Sequence, residues 1–254
     1  MELAPTGKLA HSQKRLYFLK ARDLKDAPLW EYHVHTSYTD GQCTVGEVVS
    51  FAQEQGITRL VFTEHTEPEH ANTKGWFGQY LGDIERERRL VGNRIDILAG
   101  LEVPVTDLSG GLHITREMER QAQFILGAVH RYPGIGARRV GDLSREEALE
   151  LEYRCLMSLA QNPRVDSIAH IGGTFSQYWG TFPHELSAEV IAVAARNGVA
   201  IEINSQYHRP METYIRMCLD CDAYITLGSN AHRLREVGLC ASLLRDGSQV
   251  LYKE

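Results

Sequence analysis

The chain has 254 residues, of which 43% are hydrophobic and 24% charged, and a formal net charge of -6. This is ordinary globular composition, long enough for one large domain or two small ones. The acidic balance argues against a long nucleic-acid track, and no apolar run approaches the ~18 residues of a membrane span.

The N-terminal stretch "MELAPTGKLAHSQKRLYFLKARDLKDAP" lacks the apolar core and small-residue cleavage site of a secretory leader. Residues 1–29 are expected to form an arm or solvated helix covering one end of a single domain that spans 30–254. "EYHVHT" (31–36) reads as a strand. Residues i and i+2 of a strand share a face, so His33 and His35 are expected to project into one space. "TVGEVVSFAQEQG" reads as a helix, opened by a Thr44/Glu47 capping box and stopped by Gly56. "RLVFTEHT" (59–66) is a second strand. The stretch "TEPEHANTKGWFGQY" after it is expected to form a loop over a pocket mouth, with Trp76 either stacked on a substrate ring or buried against the fold. Further strands follow at "DILAGLEVPV" (96–105), "QFILGAVHRY" (123–132), "DSIAHIGG" (166–173), "VAIEINSQ" (199–206) and "AYITLGSNAH" (223–232). Between them lie three helical patterns. "SREEALELEYRCLMSLAQNP" has a Ser144/Glu147 box and Pro163 as its stop; "HELSAEVIAVAARNG" and "METYIRMCLDCD" are the others.

Strand–helix alternation implies right-handed crossovers and a parallel sheet. Seven such units predict an α/β fold, a distorted TIM-like (β/α)7 barrel. Five cysteines (43, 155, 218, 221 and 240) are an odd number in a chain too large to need disulfide staples. A cytoplasmic setting with free thiols is therefore expected, and "CLDC" reads as packed thiols.

Of eleven histidines, six (His33, His35, His65, His130, His170 and His232) fall at or near the late end of a predicted strand, where parallel α/β folds carry their sites. Glu102 and Asn230 occupy the same level. Crowded imidazoles repel when protonated and need partners when neutral, and a divalent metal supplies that partner.

In order and spacing, "HVHTSYTDG", "VFTEH", "AGLEVP", "LGAVH", "IAHIGG" and "LGSNAH" resemble the PHP family, the polymerase and histidinol phosphatase superfamily. The resemblance runs from residue 31 to about 233. It implies a PHP metal-dependent phosphoesterase domain holding two or three divalent ions (zinc, manganese or iron). One ion is expected at His33, His35, Glu102 and Asn230. A second is expected at Glu102, His130 and His170, and a third at Asp40, His65 and His232. The family pattern has Asp at the position of Asn230. The amide offers one neutral oxygen in place of a carboxylate, so chemistry is either retained with a weaker ligand or reduced.

The expected reaction is hydrolysis of a small phosphomonoester, of histidinol-phosphate, sugar or nucleotide type, by metal-activated water. His33, His35, Glu102 and Asn230 are expected to be catalytic, with His208 as proton donor to the leaving group. Arg131, Arg209, Arg233 and Trp76 are expected to bind substrate. Glu64 is expected to orient an imidazole. Two other readings remain: a phosphodiesterase or 3′ exonuclease acting on nucleotides, and a catalytically weakened metal-binding module. The partner is a small phosphorylated molecule; the sequence leaves the oligomeric state open.

Overall fold

The computed structural model describes residues 17–251. Seven parallel strands follow one another around the sheet in chain order: β2 (Trp30–Val34), β3 (Arg59–His65), β4 (Asp96–Pro104), β5 (Phe124–Ala128), β6 (Ser167–Ile168), β7 (Ala200–Asn204) and β8 (Tyr224–Gly228). A two-residue strand, β1 (Leu19–Lys20), adds antiparallel to β8. The sheet curls until β2 and β8 meet. A parallel bridge joins Val34 to Ala231, where His35 N donates to Ala231 O and Ala231 N to His33 O, each at 2.9 Å. The (β/α)7 expectation describes this distorted barrel.

The helices are α1 (Val45–Glu54), α2 (Trp76–Val91), α3 (Arg116–Gln121), α4 (Arg145–Ala160), α5 (Gly173–Trp179), α6 (His184–Asn197), α7 (Met211–Asp220) and α8 (Leu239–Leu251). The α1 capping box is present, and Val45, Val48, Val49 and Ala52 bury the helix against the sheet. Gly56 just beyond it has φ +72°, which a residue without Cβ adopts readily. Ser144 caps α4 by accepting from Glu147 N, but the reciprocal half of the box is missing, because Glu147 pairs with Arg138 at 2.7 Å. Helix α2 begins inside the stretch expected to be loop. Its N-cap is Gly75 with φ +72° and no side-chain cap, so the usual start signal is absent. Residues 1–16 of the expected arm lie outside the described residues. Its remainder is strand β1, then a six-residue 3-10 helix over Ala21–Asp26.

Strand alternation sorts the core into two layers. Leu60, Phe62, Ile97, Leu101, Ile125, Ile201 and Ile225 face the helices. The alternate set, including Val61, Leu98, Phe124, Leu126 and Ala200, fills the barrel together with Phe18 and Tyr32. Phe124 lies 6.2 Å from Phe18 and 5.7 Å from Tyr32, ring centre to ring centre, and these rings plug the early end. Truncating Phe124 to alanine would cost about 3–5 kcal/mol by opening a cavity there. Above the plug, Ser167 and Thr226 hydrogen-bond at 2.8 Å, and above them the inward positions become carboxylates and imidazoles. The register of β2 against β3 shifts between Glu31 and Val34. Such a bulge re-aims side chains, and here Tyr32 joins the plug while His33 and His35 both face the mouth.

Candidate metal centre

Glu102 points up from β4 with only 1% exposure and collects five imidazoles. Its Oε1 is 3.0 Å from His170 Nε2 and 3.2 Å from His130 Nε2. Its Oε2 is 3.3 Å from His65 Nδ1, 3.4 Å from His33 Nε2 and 3.5 Å from His35 Nε2. Asp40, in the turn after β2, forms a second focus. Its Oδ2 is 3.3 Å from His232 Nε2 and 3.4 Å from His65 Nε2, and its Oδ1 is 3.8 Å from His35 Nδ1. Three groups offer donor atoms that all lie within 4.8 Å of one another: His35–Asp40–His65–His232, His33–His35–Glu102 and His65–Glu102–His130.

Cations fit this arrangement. His33 Nε2 and His35 Nε2 stand 3.0 Å apart, which two neutral rings tolerate only when one donates to the other or both face a cation. His35 Nδ1, His65 Nδ1 and Asn230 Oδ1 are buried with no hydrogen-bond partner among the described residues. Unpaired buried polar atoms are costly, and a metal removes that cost. Asn230 adopts φ +48°, a conformation that Asn tolerates better than most residues, at the rim of the same cleft.

A layer of carboxylates stands behind the imidazoles. Glu202 on β7 accepts from His33 Nδ1 at 2.6 Å, and Glu67 accepts from His130 Nδ1 at 2.6 Å. Glu31 accepts the backbone N–H groups of His33, Ser229 and Gly238 at 2.9, 3.0 and 2.8 Å, tying β2 to the far side of the ring. None of these three was identified from the sequence. A carboxylate inside an apolar strand, as in "AIEIN", is the signal that could have found Glu202. Glu64 orients no imidazole: it accepts from the Thr36 amide and from the hydroxyls of Thr36 and Thr39, fixing the turn that carries Asp40. Burial raises its carboxyl to about 7.

The electrostatics follow the same geometry. Burial alone would lower the His33 pKa, but Glu202 and Glu102 outweigh it and hold it well above the usual range. His130, likewise opposed by burial, is raised to about 10 by Glu102 and Glu67. Burial and the neighbouring rings of His65 and His33 push His35 well below its ordinary value. Burial would raise Glu102, yet His33 and His130 hold it well below the carboxylate range. With no cation present, protons on His33 and His130 balance these carboxylates.

The cleft above these groups has a volume of about 260 Å³ and is lined by Asp40, His65, Glu102, His130, His170, Asn230 and His232, with His70, Thr174, Gln177 and Tyr207 as neighbours. His70, given no role beyond its loop, stacks on His65 at 4.4 Å. Tyr207 leans over His170 at 4.8 Å.

Five expected residues are not brought to this cleft. His208 is fully buried, stacked 3.8 Å from Tyr214, and held near a pKa of 4 by burial. A neutral ring enclosed in this way is not placed to hand a proton to a leaving group. Arg131 donates to the carbonyls of Gly136 and Arg138, and Arg209 to that of Ser205. Arg233 lies on the exposed turn after His232, outside the cleft lining. Trp76 is buried edge-on against Phe77 and Tyr80, on the wall of a separate groove of about 670 Å³. The five cysteines are free. No helix among the described residues is long and apolar enough to cross a membrane.

A family model described as the PHP domain matches residues 31–206. A protein from Acetivibrio thermocellus named as a probable phosphatase is 26% identical over 215 residues, 81% of this chain and 80% of its own. One from Vibrio cholerae, named likewise, is 25% identical over 220 residues, covering 81% and 79%. Among solved structures, histidinol phosphate phosphatase from Lactococcus lactis, complexed with zinc, L-histidinol and phosphate, superposes with a TM-score of 0.67 at 19% identity, covering 89% of this chain and 94% of that one. A Listeria monocytogenes protein assigned as a histidinol phosphatase gives 0.70 at 14% identity, covering 84% and 99%.

Proposed function

The chain belongs to the PHP domain family and is a phosphatase of that type, and on this premise we propose that it hydrolyses a small phosphomonoester at the cleft above Glu102. The observation that carries the reading is the convergence of six imidazoles on Glu102 and Asp40. Divalent cations of zinc, manganese or iron type, when bound there, acidify a water and neutralise phosphoryl charge.

The protein's own residues supply the frame. His33, His35, His65, His130, His170, His232, Asp40 and Glu102 are the ligands, and Asn230 contributes its amide oxygen. Glu67 holds His130, and Glu31 clamps the strand that carries His33. With Arg131 and Arg209 engaged by backbone carbonyls and Arg233 outside the cleft lining, substrate charge would be met by the cations, while Thr174, Gln177, Tyr207 and His70 present neutral or imidazole contacts to the ester group. A cleft of about 260 Å³ lies below the usual ~300–1,000 Å³ of drug-sized sites and suits a small substrate. The zinc-complexed Lactococcus lactis neighbour supports zinc, and histidinol phosphate is the first natural ester to assay. Free cysteines support a cytoplasmic location.

The test is phosphate release from p-nitrophenyl phosphate and its bis-ester by protein stripped of metal and reloaded with zinc or manganese. Monoester turnover that is lost on chelation and restored by metal is expected. Faster diester cleavage, or silence with metals bound, would overturn the reading.

A further inference from the structure

We propose that Glu202 is a positioning residue that aims two metal ligands at once, fixing His33 through its side chain and His170 through its backbone. The proposal rests on the metal reading above. Glu202 projects from β7 into the barrel, one level below the ion-facing atoms, and is fully buried. Its Oε1 is 2.6 Å from His33 Nδ1 and its Oε2 is 2.6 Å from His170 N. An ionised carboxylate only accepts hydrogen bonds, so the His33 proton must sit on Nδ1. That leaves Nε2, 3.4 Å from Glu102 Oε2, as the atom free to bind an ion. The same carboxylate holds the amide of His170, whose φ of +21° is rare for a residue with a Cβ. In that conformation His170 Nε2 reaches Glu102 Oε1 at 3.0 Å.

The neighbouring strand keeps room for this group. Gly228 on β8 lies against Glu202, and a Cβ there would collide with Oε1. The two clamped ligands serve different halves of the centre: His33 stands with His35 and Glu102, while His170 meets Glu102 beside His130. Among the described residues, no hydrogen bond or ion pair joins Asp40, His65 or His232 to Glu202, whose partners are His33 and the His170 amide. One buried carboxylate thus sets the geometry of two ion positions and leaves the third untouched.

The experiment titrates metal-free wild type, Glu202→Gln and Gly228→Ala with zinc against a competing chromophoric chelator. It is paired with urea unfolding of each metal-free protein. The Gln amide keeps the shape but can accept from only one of the two donors. Gly228→Ala leaves Glu202 in the chain and displaces its carboxylate. Removing such a supporting partner typically costs 10–100-fold in metal affinity. Two binding events should weaken by that factor in both variants, while the third keeps its wild-type affinity. In zinc-loaded wild type, nitrogen NMR of the imidazoles should show His33 protonated at Nδ1, a readout that needs no variant. Unchanged affinities in both variants would overturn the proposal. So would uniform weakening of all three events in step with lost metal-free stability, or a His33 ligating through Nδ1. If wild type itself takes up no ion, the metal reading fails first and this inference with it.

Discussion

Glu152 on α4 tests the electrostatics of the fold away from the centre. It is 1% exposed, and its carboxyl faces the Tyr132 hydroxyl and the amides of Phe175 and Gly172 without a hydrogen bond of good geometry to any of them. Burial raises its pKa from 4.5 to about 8. Between these two values the folded chain keeps a proton that the unfolded chain has released. Stability therefore falls as pH rises, at about 1.4 kcal/mol per pH unit. From pH 5 to pH 8 the loss amounts to about 4 kcal/mol, a large part of the usual ~5–15 kcal/mol for a domain. Glu152→Gln removes the titration and keeps the shape. Urea unfolding of both proteins with chelator present, at pH 5 and pH 8, isolates the difference, because every other group titrates in both. The variant should be within about 1 kcal/mol of wild type at pH 5 and gain about 4 kcal/mol on it by pH 8. Parallel pH profiles for the two proteins would refute the argument.

Three further outcomes are expected. In the metal-free protein His33 and His130 are held protonated, so ion binding at neutral pH should expel about two protons and affinity should climb with pH towards about 10, the His130 value; calorimetry in two buffers of different ionisation enthalpy reads this directly, and buffer-independent heats would count against it. Asn230→Asp places a carboxylate where an unpartnered amide oxygen now lies, and should slow metal loss to a chelator severalfold; unchanged loss and turnover would mean that the position is not a ligand. Alanine at Arg131 or Arg233 should leave KM within about twofold, since neither side chain lines the cleft, and a large rise in KM would show that one of them swings in to meet substrate.

The elements legible in the sequence were those with local signals. Apolar runs marked all seven parallel strands, and Thr44 with Glu47 marked the start of α1. Helix α2 was hidden because Gly75 offers no side-chain cap and the body of the helix is rich in charge. The histidines could be placed because strand alternation and the late-edge rule are both local. The apolar strand around it flags Glu202 as a buried carboxylate, but not its partner, since the link between Glu202 and His33 spans 169 residues of chain and follows only from closure of the ring. Arg131, Arg209 and His208 lie away from the cleft for the opposite reason. Adjacency to a strand end says which loop a residue occupies, not which way its side chain turns, and backbone carbonyls captured Arg131 and Arg209.

Among the described residues, Val34 makes the one parallel bridge that joins the first strand of the ring to the segment after the last, and it stands between His33 and His35. Closing the seam therefore also fixes the two imidazoles that flank Val34. Five of the six imidazoles stand on or just after β2–β6, and only His232 waits for the final strand, whose pairing back to β2 spans a long stretch of chain and is intrinsically slow. Cations bound across that seam would act as a latch on the finished ring, since His232 beyond the last strand and His35 beyond the first both face Asp40.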